Sequence, residues 1–583
     1  MPVAAEQKHR KRLLVLAIFF GVMLAAIFIR LSYVQLWQHN KYVAQAARQQ
    51  YRQFEIPAAR GQIYLEESDG LYPIALNQQQ FVVAGDPKFI KDQSAAAEQL
   101  SKVLQEPVDK LQQKLKAGAN GRYVEFKKGV NYDTAQAIKD LKLAGLFVVP
   151  RAGRYYPESN LFSHVLGYVN SDGEGQYGIE QYHETQLHGK DGLLKAVTDS
   201  LGVPITSTEN IAQSSQDGQS YVLTLDRKIQ SLAHDALSAA VQNNKAESGS
   251  IIVMDPKTGA IKALVNYPDF DPNNYGQVAS DQYRNFTNSA VSSLFEPGSG
   301  FKVITMAAGI DAGKVKPDTK YDDKGELEIS GYTVKNAENH KFGIQTMTDV
   351  IQKSLNTGAI FVLQSLGSDP KKITLQSKEA LYNYFQKFGF GQKTGIAQAG
   401  EANAPIKQPK VADIDYANMS FGQGISVTSM QMISAVAAIA NGGTRYEPQL
   451  ISKTISPDGK IVEVKPKVAA DDVIDSQAAA TVADMMISVV EKGSGYQTKT
   501  KGYRIAGKTG TAQVPRADGK GYEEKKNIGS FVGFAPVEDP KFIILVRIDY
   551  PRVEGFAEST AVPAFATVAR ELFAYYKIPP KTD

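Results

Sequence analysis

One stretch limits the fold before any other: Leu13 to Ile29, seventeen residues without a charge, reading LLVLAIFFGVMLAAIFI. KHRKR precedes it, so the run reads as a membrane helix whose N-terminus stays in the cytoplasm. Trp37, the single tryptophan of the chain, comes within about two turns beside Tyr33, where an amphipathic ring marks the outer interface. The competing reading is a cleaved signal peptide processed near Ala25-Ala26, but the apolar run exceeds a usual h-region. No second run of this kind occurs later in the chain. The expectation is a single-pass protein with roughly 540 residues outside the cytoplasm, counted from the end of the span.

The chain beyond the anchor is long enough to split. A chain of 583 residues with 43% apolar content buries more than one core. The polar segment NIAQSSQDGQS, Asn210 to Ser220, supplies the break. The expected division is a cytoplasmic tail 1–12, an anchor 13–36, a membrane-proximal mixed α/β domain 37–215, a large domain 216–577 and a tail 578–583. Strand candidates in the large domain are GSIIVMD and AIKALVNY early, then RIAGKTGTAQV, IGSFVGFAP and KFIILVRIDY late, with helical stretches between and a final helix AVPAFATVARELFAYY. This order predicts an α+β fold in which both ends of the domain contribute to one antiparallel sheet flanked by helices.

Several chemistries are excluded at once. There are no cysteines, so disulfides, thiol nucleophiles and thiolate metal sites are absent. The net charge is +4, of which Lys8, Arg10, Lys11 and Arg12 less Glu6 account for +3, leaving no basic face for nucleic acid. In HETQLH, His183 and His188 stand five apart, about 140° around a helix, which rules out a zincin pair. No G-x-S-x-G elbow and no phosphate-binding glycine loop is present.

The remaining candidate is FEPGSGFKVITMAAGIDAG, with Ser299 behind Pro297-Gly298 and Lys302 one turn later. Pro-Gly-Ser suggests a helix start, and a spacing of three lets the amine meet the hydroxyl. A serine hydroxyl needs a base, and without a suitable histidine a lysine serves if burial or a second cation lowers its pKa. Alone the motif is weak, since Ser299 also reads as an ordinary cap with a solvated lysine, and Ser368-Asp-Pro-Lys371 fits the same pattern in a polar, proline-broken setting. Ser354-Leu-Asn356 then heads an apolar run and offers a hydroxyl and a carboxamide to a cleft, although Ser-x-Asn is also a capping device. Lys-Thr-Gly occurs twice. Lys393-Thr394-Gly395 lies in a glycine-dense loop, whereas Lys508-Thr509-Gly510 lies among strand residues and can alternate along a sheet edge, so the second is chosen. Its lysine and threonine hydroxyls, with Thr511, suit a substrate carboxylate, and Lys508 can also depress the pKa of Lys302.

In this order, FEPGSGFK, SLN and GKTGTAQ resemble the three active-site motifs of the class B penicillin-binding proteins. TLDRKIQ, NKAESGSIIVMDPKTGAIKALVNYPDFDPNNY, RNF, FGFGQKTGIAQAGE, SFGQGISVTSMQM and SFVGFAP are similar to the transpeptidase domain of that family, and RGQIY and YGIEQYHETQLHGKDG to its membrane-proximal pedestal. KAESGS and SFGQGISVT are most like the division-specific, septal member. The resemblance implies a pedestal over residues 37–215 and a penicillin-binding, serine β-lactamase-like transpeptidase domain over 216–577. It also implies that Ser299 attacks the penultimate D-alanine of a D-Ala-D-Ala stem peptide while Lys302 takes the proton. Ser354 and Asn356 would relay protons and hold the peptide, and Lys508, Thr509, Gly510 and Thr511 would bind the terminal carboxylate. The N–H groups of Ser299 and Thr511 would form the oxyanion hole. D-Alanine leaves, and an amine of a neighbouring stem peptide resolves the acyl-enzyme into a cross-link; a β-lactam would acylate the same serine and stall. The implied setting is the cytoplasmic membrane with the bulk of the chain on its outer side. A polytopic glycan-polymerising glycosyltransferase and small bitopic division proteins would be its partners, with no metal or organic cofactor and no nucleic acid.

Two positions depart from the family pattern. Gly300 stands where threonine is usual, at a modest helix cost, and after RGQI the segment YLEESDG replaces an Asp-Arg-x-Gly turn, which suggests a longer loop. Four rivals need weighing. A β-lactamase would need a deacylating base, for which EALYN (Glu379 to Asn383) is a poor match on a helix that exposes its glutamate. A D,D-carboxypeptidase differs only in its acceptor, and a side-wall transpeptidase only in its place. A non-catalytic scaffold of the division complex would not need all three motifs intact.

Overall fold

The computed structural model describes residues 3–43, 51–118, 123–197, 211–337, 340–516, 521–553 and 555–581. Contacts divide the chain into two compact units, one holding the N-terminal residues through Ala59 with Gly189–Gly218, the other Arg60–His188 with Gln219–Asp583.

In the first unit, a helix over Val3–Ser32 passes into a π-helical stretch at Tyr33–Trp37. The helical segment Gln7–Trp37 is long and apolar enough to cross a bilayer. The helix runs back through the basic residues Lys8 to Arg12, while Met1 and Pro2 lie outside the described residues. Strands Tyr51–Ile56, Gly192–Val197 and Ile211–Gln213 form a small antiparallel sheet. Asn210, where the polar segment begins, lies outside the described residues.

The second unit contains two main sheets. The first is seven-stranded and runs in the order 461–463, 451–455, 220–223, 63–67, 70–85 and 124–130, with 146–155 also pairing along 70–85. Strand Ser220–Leu223 lies parallel to Ile63–Glu67 and antiparallel to Ile451–Ile455. The segment expected to carry a longer loop does not: Glu67 pairs with Gly70, so Ser68-Asp69 is a two-residue hairpin turn. The β-branched and aromatic residues before it extend the ladder, and Gly70 at φ +133 absorbs the reversal.

Beneath this sheet lies a buried ion cluster. Arg60 donates to Glu180 (2.8 Å) and to Glu184 (2.6 Å), and Arg154 donates to Glu180 (2.7 Å), to the Gly61 carbonyl (2.8 Å) and to Asn77 Oδ1 (3.1 Å). Burial alone would raise the Glu180 pKa, but the two guanidinium groups outweigh it and hold the carboxyl below its ordinary value.

The second sheet comprises β1 (Ser248–Met254), β2 (Ile261–Tyr267), β3 (Ala506–Pro515), β4 (Tyr522–Ala535) and β5 (Phe542–Asp549), in the order β2-β1-β5-β4-β3, antiparallel throughout. Alternation assigns its two faces. Ile251, Val253, Ile544 and Val546 pack against helices Arg227–Asn243 and Ala557–Tyr575. Ile252, Met254, Ile543 and Leu545 face the larger core, which includes the wholly buried helix Ser429–Ala440. Cover on both faces is why β5 opens with an unbroken apolar run, Phe542–Val546. β3 is left at the edge, and its neighbourhood is the site.

Removing one member of a buried ion pair strands the other, so Arg154→Ala should destabilise this unit by about 3–5 kcal/mol. Denaturant unfolding of the detergent-solubilised chain measures this, and a loss below about 1 kcal/mol would show that the cluster does not hold this end of the sheet.

Candidate active site

The site is built on a crossing of two backbones. Phe295 and Val427 exchange N–H to carbonyl bonds of 2.9 Å, and the Gly298 N–H donates to the Gly422 carbonyl at 3.0 Å. Gly298 has φ +53, and a Cβ there would lie 2.6 Å from the Thr511 carbonyl oxygen; at Gly422, φ +88, a Cβ would lie 2.0 Å from the Gly298 carbonyl oxygen. Only glycine allows this approach. The buried Glu296 fastens the crossing by accepting from the Gly424 N–H (2.8 Å) and the Tyr522 hydroxyl (3.1 Å).

From this crossing the chain turns into a 3-10 segment, Gly298–Phe301, and then an α-helix, Lys302–Asp311. The helical chain thus starts at Pro-Gly-Ser as expected, while no side chain caps either segment, so Ser299 is not an ordinary cap. In a 3-10 turn residues i and i+3 eclipse, so Ser299 and Lys302 fall on one side. Lys302 Nζ lies 3.0 Å from Ser299 Oγ, and Lys302 is 1% exposed.

Ser354 completes the cluster. Lys302 Nζ donates to its carbonyl at 2.5 Å, and its hydroxyl lies 3.1 Å from Lys302 Nζ and 3.1 Å from Lys508 Nζ. Ser354 adopts φ +60, a left-handed conformation that costs a non-glycine residue about 1–3 kcal/mol and is held by its surroundings. Asn356, at the start of helix Asn356–Ser365, turns elsewhere: its carboxamide donates to the Lys335 carbonyl (2.8 Å), and its N–H to Asn336 Oδ1 (2.8 Å). It lines the cleft without touching Ser299 or Lys302 through a hydrogen bond. Asn336 and Thr357 in turn donate to the buried Asp323 at 2.9 and 2.8 Å, a network that no local motif announces.

Alternation on β3 separates the Lys-Thr-Gly-Thr residues. Thr509 and Thr511 line the cleft, while Lys508 is fully buried and donates to the Thr509 carbonyl at 3.1 Å. Thr509 Oγ1 meets Ser494 Oγ at 2.7 Å, and Thr511 Oγ1 accepts from the Ala557 N–H at 3.2 Å. Gly510 presses on the turn, where a Cβ would lie 2.7 Å from the Pro297 carbonyl oxygen. Burial, and then the charge of Lys508, hold the Lys302 pKa well below an ordinary lysine. Burial lowers Lys508 to about 7, against a raising influence from Glu558. The arrangement places an amine of depressed pKa against a hydroxyl, with a second amine one serine away.

The lookalike motifs sit elsewhere. Ser368 and Lys371 lie in a loop after helix Asn356–Ser365. Thr394 donates from its N–H and hydroxyl to Glu401, at 2.6 and 2.5 Å. Glu379 is exposed on helix Leu375–Lys387, and the His183 ring stacks on Tyr221 at 4.6 Å. Among the described residues no group of three or more His, Asp or Glu is placed to hold a metal ion. The cleft itself measures about 1000 Å³, and Ser299, Ser354, Asn356, Tyr332, Phe421 and Phe556 are among the residues that line it.

The glycines give a paired test. At Gly300 a Cβ would find its nearest neighbour, Met432 Cε, at 3.6 Å, so Gly300→Ala should stabilise the protein by about 0.4–1 kcal/mol with its active-site reactivity retained. Gly422→Ala drives a Cβ into the Gly298 carbonyl and should abolish acylation by a fluorescent penicillin. Equal labelling of both variants would mean the crossing does not position Ser299.

Comparison with known proteins agrees with this geometry. Residues 249–570 match the penicillin binding protein transpeptidase domain, and residues 55–223 the penicillin-binding protein dimerisation domain. Stage V sporulation protein D of Bacillus subtilis is 33% identical, over 98% of this chain and 87% of its own. Peptidoglycan D,D-transpeptidase FtsI of Escherichia coli is 30% identical, over 94% and 89%. The crystal structure of penicillin binding protein 3 from Mycobacterium tuberculosis, complexed with aztreonam, superposes with a TM-score of 0.68 at 27% identity, covering 91% of this chain and 98% of that one. With a serine and a buried lysine in contact beside a Lys-Thr-Gly edge strand, and a family match over more than half its length, the chain belongs to the class B penicillin-binding proteins and is a serine-type peptidoglycan D,D-transpeptidase.

Proposed function

We propose that Ser299 is the acylated nucleophile, Lys302 its base, Ser354 the proton relay between Lys302 and Lys508, and Asn356 a holder of the substrate peptide. The observation that carries this reading is the 3.0 Å contact between Ser299 Oγ and the buried Lys302 Nζ. A lysine without water and beside a second cation gives up its proton more readily than an ordinary lysine, and can then take that of the serine. Lys508, Thr509, Gly510 and Thr511 bind the carboxylate of a stem peptide ending in D-Ala-D-Ala, and the N–H groups of Ser299 and Thr511 stabilise the oxyanion. A β-lactam likewise presents an acylating carbonyl with an anionic group beside it, and the mycobacterial relative is complexed with the β-lactam aztreonam.

The cellular role extends this reading. The likeness to FtsI, and KAESGS and SFGQGISVT in the sequence, support a transpeptidase of the division septum. It would be anchored in the cytoplasmic membrane by Gln7–Trp37 with its catalytic bulk outside, beside a polytopic glycosyltransferase and bitopic division proteins. The 33% identity to a sporulation protein favours a second reading in which the same chemistry serves spore formation.

Covalent labelling by a fluorescent penicillin tests the chemistry. Ser299→Ala should lose the label and Ser368→Ala keep it, and Lys302→Arg, which cannot deprotonate, should label at least about 10²-fold more slowly. The second-order labelling rate should rise with pH as Lys302 loses its proton and fall again above about 7 as Lys508 loses its own. A rate that is flat with pH would remove Lys302 as the base.

A fluorescent fusion tests the place. A midcell band in dividing cells supports the septal role, uniform side-wall signal overturns it, and signal confined to forming spores favours the second reading.

A further inference from the structure

The stretch Ser354-Leu355-Asn356 links two helices, and its two ends are held in different ways. Upstream, helix Met347–Gln352 closes as the Lys353 N–H donates to the Asp349 carbonyl at 2.8 Å, and the Leu355 N–H reaches back to the Val350 carbonyl at 3.0 Å. Downstream, helix Asn356–Ser365 has Leu355 at its N-cap position, a side chain with no oxygen to offer the first N–H groups. The missing oxygen comes from a distant strand end. Asn336 Oδ1 accepts from the Asn356 N–H at 2.8 Å and from the Thr357 N–H at 3.2 Å.

A carboxamide can turn either its oxygen or its nitrogen toward a neighbour. Here the buried Asp323 decides. Its carboxylate, which accepts and does not donate, takes Asn336 Nδ2 at 2.9 and 3.1 Å, so the oxygen is left facing the helix. Asp323 is fixed in turn by the Gly325 N–H at 3.0 Å, the Phe342 N–H at 3.3 Å and the Thr357 hydroxyl at 2.8 Å. The residue before Asn336 joins the same grip, since the Lys335 carbonyl accepts from the Asn356 carboxamide at 2.8 Å. Backbone and side chain of Asn356 are thus held by two consecutive residues of one hairpin.

With one helix closed on its upstream side and the next capped on its downstream side, Ser354 makes the link at φ +60. In that conformation its carbonyl and hydroxyl both meet Lys302, and its hydroxyl also meets Lys508. We propose that Asn336, oriented by Asp323, is a positioning residue for acylation: it caps from outside the helix that follows Ser354, and so holds the Ser354 hydroxyl between the two lysines. It acts through Ser354, and no hydrogen bond joins it to Ser299 or Lys302. The inference rests on Ser354 being the proton relay. Without the cap, two N–H groups beside the cleft are left to water, and the left-handed strain at Ser354 is free to relax away from the lysines.

Saturation kinetics of labelling by a fluorescent penicillin test this in the full-length, detergent-solubilised protein, because they separate binding of the drug from the acylation rate constant. Thermal unfolding checks each fold. Asn336→Ala should lower the acylation rate constant by at least about tenfold and leave binding within about threefold of wild type. Ser354→Ala should acylate slowly too, and adding Asn336→Ala to it should cost less than about twofold more, since both act through one hydroxyl. An unchanged rate in Asn336→Ala would overturn the proposal, as would an equal loss with and without the Ser354 hydroxyl, the pattern of a general structural role. Ser354→Ala acylating as fast as wild type would overturn the relay reading beneath it, and a wild type that did not label would overturn the role of Ser299. A second pair decides even if Asn336→Ala does not fold. Asn336→Asp alone sets two carboxylates face to face and should acylate slowly. Combined with Asp323→Asn it exchanges donor and acceptor, and the rate should return to within about threefold of wild type. A double exchange as slow as Asn336→Asp alone would overturn the proposal.

Discussion

The chemistry of this protein depends on keeping two lysines out of water next to each other. Lys302 and Lys508 are both essentially unexposed, and the hydroxyl of Ser354 stands between them at 3.1 Å from each. Two ammonium groups at that separation in a dry pocket are mutually unfavourable, and burial followed by the charge of Lys508 holds the pKa of the amine against Ser299 well below that of an ordinary lysine. Everything else in the site keeps water out of this arrangement or holds it in register.

Register comes from backbone approaching backbone. Gly298, Gly422 and Gly510 bring the turn before Ser299, the loop at 422–424 and β3 to distances that no side chain permits. Ser354 bears left-handed strain so that its carbonyl and hydroxyl both face Lys302. The rigidity behind these contacts is that of a sheet buried on both faces, with β5 at its centre and β3 as its edge. An edge strand can show alternate residues to a cleft while the others stay locked inside, and Thr509 and Lys508 divide in that way.

The residues legible in the sequence are those whose meaning is local. Ser299 and Lys302 are three apart, and the two Lys-Thr-Gly runs can be ranked because one sits among β-branched strand residues and the other in a glycine-dense loop. The apolar run and the order of strands mark the anchor and the antiparallel sheet for the same reason. Contacts between distant segments are not legible. RGQIY and YGIEQ each stand out, but nothing in either says that Arg60 and Glu180, 120 residues apart, share a buried ion pair. The tie from Glu296 to Tyr522 and the turn of Asn356 toward Lys335 likewise depend on chain that returns from afar. YLEESDG misleads because a departure from a family turn reads as a loop, whereas its residues continue a ladder.

The seven-stranded sheet bears on what counts as a module in this chain. Strand Ser220–Leu223 belongs to the dimerisation match and Ile451–Ile455 to the transpeptidase match, yet they are adjacent rungs of one ladder, with Ile63–Glu67 on the other side. A chain trimmed to the transpeptidase match would lose the strand between and leave Ile451–Ile455 as an open edge, inviting edge-to-edge aggregation. Within this unit, the border between families is therefore not a border in the hydrogen-bonded ladder: a cut placed there severs pairing that both matches share.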